Sequence, residues 1–187
     1  MSKKYLLEAE PLDLGPDVRA VGLELVEGNE DREPVRGIEA ARVWSRALVA
    51  TSATEPWALD FFSHVDRVRD YCQIHGIAFR EASERCLVIT APELSVLEPL
   101  IDRFQRESFG VRAGELVTAG DTSLEAELGR RGIDAYHHAF SNYYFCGICG
   151  FEDGSLVLLS EKLWASEVIR RVRPFLEDLD VEVRLPV

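Results

Sequence analysis

Apolar residues recur along this chain with two periods, and the period switches several times. Val18 to Val26 (Val-Arg-Ala-Val-Gly-Leu-Glu-Leu-Val) is rich in β-branched and apolar residues and predicts a strand. Gly28 to Pro34 is an acidic, turn-rich loop. Ile38, Ala41, Trp44, Ala47 and Leu48 then fall at helical spacing and predict a first helix. A second helix is expected from Pro56, where a proline in the first turn costs no hydrogen bond. Its stripe runs through Trp57, Phe61, Val65, Val68 and Cys72, continues to His75, and ends at Gly76 as a left-handed cap.

The second half alternates shorter elements. Ile77–Arg80 and Cys86–Thr90 read as paired strands. Leu94, Leu97, Ile101 and Phe104 share one face of a helix, with Thr90 and Glu93 at the spacing of a capping box. Val111–Val117 reads as a strand, and Ser123–Arg131 as a short helix ending at Gly132. A long strand through Phe140 to Cys149, a turn at Asp153-Gly154 and the run Leu156–Leu159 predict a hairpin. Ser160 is placed to cap a helix carrying Trp164, Val168, Val172 and Phe175, and Val181–Leu185 alternates as a closing strand. The order strand–strand–helix–strand thus occurs twice, at about residues 83–117 and 143–185. The expected fold is α+β: a mainly antiparallel sheet with helices packed on one face, the recurring order being either two pseudo-repeats or a chance recurrence of a common hairpin–helix unit. No linker composition interrupts the chain, so residues 1–187 are expected to form a single domain.

Composition narrows the function. With 187 residues and 47% hydrophobic content the chain can bury a full core. The first eight residues hold two lysines and only three apolar residues after the initiator before an acid, too few for a signal-peptide core. The longest run free of Asp, Glu, Lys and Arg, Ala135 to Phe151, contains His, Ser, Asn and Gly and is a poor membrane span. A cytoplasmic protein with reduced thiols is expected. Thirty-three acids against 21 bases give a net charge of −12. Such a surface repels phosphate backbones, so neither nucleic acid nor membrane is an expected partner, whereas a protein partner, basic in character, fits the acidic field. Arg170, Arg171 and Arg173 form the densest basic run and read as a solvated helix face.

The cysteines carry the most specific pattern. Tyr143-Tyr-Phe-Cys-Gly-Ile-Cys-Gly-Phe151 places Cys146 and Cys149 in a Cys-x-x-Cys-Gly motif, and Cys72-Gln-Ile-His75-Gly repeats that spacing. Together they make a Cys3His set with the donor types of a structural zinc site. A helix presents Cys72 and His75 on one side. In an extended strand, however, residues three apart point to opposite faces, so Cys146 and Cys149 share an ion only if Gly147 breaks the strand. The expectation is that they lie on one strand and share no metal, leaving no cofactor, with zinc as the alternative. Thioredoxin-like chemistry needs the motif at a helix start, which is missing here.

A third feature is the polar-aromatic segment Tyr136, His137, His138, Tyr143 and Tyr144, whose side-chain types suit a binding surface. Gly-x-Gly-x-x-Gly, Walker, Gly-x-Ser-x-Gly and His-Glu-x-x-His motifs are all absent. The sequence therefore reads as a non-catalytic regulatory, adaptor or inhibitor-type module that binds another macromolecule. Two alternatives stand beside it. One is an enzyme drawing zinc or a thiolate from Cys72, His75, Cys146 and Cys149. The other is a small-molecule sensor with a pocket lined by Trp44, Trp57 and Trp164.

Overall fold

The computed structural model describes residues 4–13, 19–52, 57–61, 65–83, 86–90, 93–104, 109–113, 145–150, 155–159 and 164–185. The strands among them are β1 (Tyr5–Asp13), β2 (Arg19–Glu27), β3 (Trp57–Phe61), β4 (Arg80–Ser83), β5 (Cys86–Thr90), β6 (Phe109–Ala113), β7 (Phe145–Gly150), β8 (Ser155–Leu159) and β9 (Val181–Arg184). They make one sheet in the order β4-β5-β3-β6-β7-β8-β2-β1-β9. Every pairing is antiparallel except that of β1 with the edge strand β9. The helices are α1 (Ile38–Ser52), α2 (Val65–His75), α3 (Leu94–Phe104) and α4 (Ala165–Val172), the last running into a 3-10 turn, Arg173–Leu176.

The protein is thus α+β, with its helices on one face of a mainly antiparallel sheet. Alternate residues of the strands supply that face. Tyr5, Leu7 and Ala9 of β1, Val21, Leu23 and Leu25 of β2, Leu87 and Ile89 of β5, and Val181 of β9 join one hydrophobic cluster with the inward stripes of all four helices. The two-residue side-chain period sends the intervening residues to the other face. There Glu10 and Glu24 are exposed, and Glu8 binds Arg32. Leu6 is buried on that face beside Arg32 and Arg184, whose aliphatic stems can cover apolar surface while their charged ends stay in water.

Several local signals act as their chemistry requires. Gly76 takes φ +65°, donates to the Gln73 carbonyl, and lets the Ile77 amide reach the Cys72 carbonyl at 2.8 Å, closing α2 as a Schellman motif. In α1 the buried hydroxyls of Ser45 and Thr51 donate to carbonyls one turn back, Arg42 and Ala47, so neither is left unpaired. Asn29 accepts from the Arg32 amide, holding Arg32 at φ +50° in the tight loop after β2.

The structure corrects other expectations. Residues 57–61 are not the first turns of a helix but the strand β3, paired with β5 on one side and β6 on the other. Trp57, Phe61 and Val65 are four apart, a spacing that fits a helical stripe and one face of a strand equally well. β1 is not foreshadowed by the apolar pattern, because Glu8, Glu10 and Pro11 interrupt its apolar positions. Glu93, not Thr90, precedes the first helical residue of α3, since its carbonyl accepts from the Leu97 amide at 2.8 Å. Ile38 and Leu94 sit on helix ends and are exposed. Two hairpin–helix–strand runs are present, but they return differently. β6 lies across β3 from β5, whereas β9 lies across β2 and β1 from β8. The run β3-α2-β4-β5-α3-β6 is by itself a split β-α-β unit. The expected helix at 123–131, the Asp153-Gly154 turn and the Ser160 cap lie outside the described residues.

Trp44 is fully buried on α1, and its indole N–H has no hydrogen-bond partner among the described residues. Trp44→Ala should cost about 3–5 kcal/mol in urea unfolding, because it leaves a large cavity. Trp44→Phe should cost distinctly less, about 1–2 kcal/mol, since the removed N–H leaves no protein acceptor unpaired.

Candidate functional site

The face of α2 opposite its core stripe carries the most exposed large apolar side chain among the described residues. Val65, Val68 and Cys72 point inward and are buried. Arg67, Tyr71 and Ile74 recur at four- and three-residue spacing on a second stripe, and Ile74 is 78% exposed. This stripe meets the end of α3 in a groove of about 230 Å³ lined by Arg67, Asp70, Tyr71, Ile74, Arg103 and Phe104. The Tyr71 ring stands edge-on to Phe104, with centroids 5.5 Å apart, and lies against the His75 imidazole at 4.2 Å. The edge-to-face pair locks the groove floor. Arg103 of α3, at its rim, is exposed and makes no ion pair among the described residues, whereas Arg69 of α2 is held by both Asp66 and Glu81. An aromatic floor, an exposed isoleucine and a rim arginine have the composition of an interface centre.

The structure places the sequence-derived candidates as follows. Cys72 is buried within α2, and its thiol is pushed up to about 11 by burial, which keeps it protonated and unreactive at neutral pH. His75 is exposed in the last turn of α2. Cys146 and Cys149 belong to β7, where the backbone between them is paired on both sides. Gly147 lies opposite Val111 on β6 and Leu158 on β8, with no shift of register. β5, the strand that contacts α2, is separated from β7 by β3 and β6, which is roughly 14 Å of sheet at the usual strand spacing. Cys72 and His75 thus share α2 but turn to core and solvent respectively, and the strand under their helix lies three strand positions from β7. Among the described residues no group of three or more His, Cys, Asp or Glu is placed to hold a metal. Tyr136, His137, His138, Tyr143 and Tyr144 lie outside the described residues. Of the three tryptophans, Trp44 is core, Trp164 is 57% exposed at the start of α4, and Trp57 is on β3.

The arginine run of α4 is internally spoken for. Arg170 and Arg171 both donate to Glu167 at 2.7 and 2.8 Å, Arg171 also reaches the Thr51 carbonyl at the end of α1, and Arg173 donates to the Val183 carbonyl. The two guanidinium groups hold the Glu167 carboxyl well below its usual range, at about 2. The apolar pattern gives one sign of the Tyr71–Ile74 groove, an isoleucine outside the apolar stripe of its own helix.

No family model matches the chain, and neither the curated proteins nor the solved structures contain a match to it. Function therefore rests on the chain's own geometry. Among the described residues no helix is long and apolar enough to cross a membrane.

Two outcomes follow. Glu167 is about one-quarter exposed, so its pairs are surface pairs worth below about 1 kcal/mol each. Because its carboxyl is depressed in the folded state, that stability is complete above the ordinary carboxylate range and is lost as pH falls toward 2. Glu167→Gln should be slightly less stable than wild type at pH 7, and the gap should close in unfolding titrations taken down to pH 2. Cys72 should remain unmodified by an alkylating reagent in the native protein and react fully in denaturant, as read by mass spectrometry of its peptide.

Proposed function

We propose that the protein is a non-catalytic binding module that engages another protein through the α2–α3 groove. The observation that carries this reading is Ile74, largely exposed beside the Tyr71–Phe104 pair and next to an arginine without an ion-pair partner among the described residues. A single exposed apolar side chain is ordinary, but here it adjoins a tyrosine and an arginine, residue types that are enriched at the energetic centres of protein contacts. The net charge of −12 favours a partner whose overall surface is basic and disfavours phosphate backbones. In this reading the acidic field accelerates encounter, while the groove supplies the short-range contact.

The test is affinity capture from cell extract with wild-type protein and with Ile74→Asp, identifying bound proteins by mass spectrometry. A specific partner should be retained by wild type and by Glu30→Gln, a substitution in the distant β2 loop, and reduced at least roughly tenfold by Ile74→Asp. Thermal unfolding of Ile74→Asp should match wild type, because the side chain is outside the core. An identical set of captured proteins from all three would remove the groove from the reading. For a purified partner the association rate should fall as salt rises, since charge attraction is screened beyond about 8 Å at physiological ionic strength.

A further inference from the structure

The sheet has two edges, and they are finished differently. β4 at one end carries a register shift between Glu81 and Ser83, the kind of irregularity that blunts an edge against further pairing. β9 at the other end is regular and pairs with β1 in unbroken register from Val181 to Arg184. Among the described residues no strand pairs with its outer side.

Backbone alternation shows which groups that edge offers. The Asp180 carbonyl accepts from the Tyr5 amide at 3.0 Å and so faces β1. Successive residues of a strand send their amide and carbonyl groups to opposite sides. Val181, Val183 and Leu185 therefore aim theirs outward. The Val183 carbonyl confirms this, since it is reached at 3.3 Å by the Arg173 guanidinium from the 3-10 turn rather than by β1.

The side chains of this edge are self-complementary. In Val181-Glu182-Val183-Arg184-Leu185, rotation about Val183 in an antiparallel pair sets Val183 against its own copy, Glu182 against Arg184, and Val181 against Leu185. Val181 lies in the core, Val183 packs against it, and Glu182 and Arg184 lie on the opposite, solvent face, where they are already bidentate partners at 2.7 and 2.8 Å. Leu185, 46% exposed, continues the core side of the strand past its last paired residue. Beside the edge runs a groove of about 340 Å³ lined by Arg173, Leu176, Glu177, Val181, Glu182 and Val183. Leu185 of a second copy, set opposite Val181, would enter its apolar part at Leu176.

We propose that β9 is a homodimerisation edge: two copies pair their β9 strands antiparallel across a two-fold axis at Val183, joining their sheets into one. Val183 faces outward on both copies, so each donates its amide to the other's carbonyl, and the Arg173 contact gives way to that bond. The pairing is closed, since one surface is used on both copies and no further edge is exposed by it. Oppositely charged residues facing each other across strands favour one register, and like charges there oppose it. Glu182 and Arg184 thus specify both the register and the partner, which is a second copy of this chain.

The test is light scattering and sedimentation equilibrium on the full chain over a wide concentration range. Wild type should be a monomer–dimer equilibrium. Glu182→Arg and Arg184→Glu, each alone, should weaken association at least roughly tenfold, because each sets like charges opposite one another twice. Mixed in equal amounts, the two variants should form a heterodimer of near wild-type affinity, since every facing pair is again opposite in sign. Loss of the internal Glu182–Arg184 pair in each chain cannot produce recovery on mixing, which separates pairing from a structural effect. Val183→Pro, which removes the outward amide, should be monomeric with circular dichroism like that of wild type. A monomer at all concentrations, or a dimer indifferent to both charge reversals, would overturn the proposal.

Discussion

Nearly complete burial of α1 holds the helical layer to the sheet. Ala40, Ala41, Val43, Trp44, Ala47, Leu48 and Ala50 are all buried, so this helix buries one broad apolar face and leaves Glu39, Arg42 and Arg46 on the other. Four alanines let neighbours approach closely, and Trp44 is the bulkiest of the fully buried side chains. α1 contacts both α3 and α4, and thereby joins the β3–β6 unit to the elements that follow β8. Its polar residues reinforce the same contacts. Arg42 pairs with Glu98 of α3 at 3.2 Å, Arg46 binds the Phe175 carbonyl and Asp178, and the Thr51 carbonyl receives Arg171 of α4. The apolar face supplies most of the stabilisation, and the partly exposed ion pairs add little to it.

That arrangement explains how an acidic chain uses its bases. Arg32, Arg42, Arg46, Arg69, Arg170, Arg171 and Arg184 each contact a carboxylate, most of them between elements distant in sequence or across one helical turn. The basic run at residues 170–173 looks like a patch in the sequence, but in the fold it is a set of clamps. The acids left over produce the negative surface. Against that background Arg103 stands out, because it faces solvent beside Tyr71 and Ile74 without a carboxylate among the described residues.

The same logic separates chemistry from packing among the sulfur and imidazole groups. Cys72 is a core residue of α2, and burial that raises its thiol removes the nucleophilic form. His75, one turn on, is a surface group resting on Tyr71. β7 pairs continuously through Gly147, so the glycine that could have turned the backbone between Cys146 and Cys149 serves the ladder instead.

The sequence alone determined the fold class and those elements whose burial is one-sided. α1, α3, α4, β2, β5, β8 and β9 were legible because a helix or strand packed on one face repeats its apolar residues with its own period. Gly76 marked the end of α2 because only a residue without a side chain readily takes that backbone conformation. Tertiary structure decided the rest. A four-residue spacing at Trp57, Phe61 and Val65 satisfies both periods, and only pairing with β5 and β6 makes 57–61 a strand. β1 is carried by neighbours β2 and β9 despite its two glutamates and proline. Strand order, the neutralisation of the arginines, the groove between α2 and α3 and the open edge of β9 depend on contacts between residues far apart in the chain. Local composition carries no record of such contacts, because the energy that selects them appears only when the partners meet.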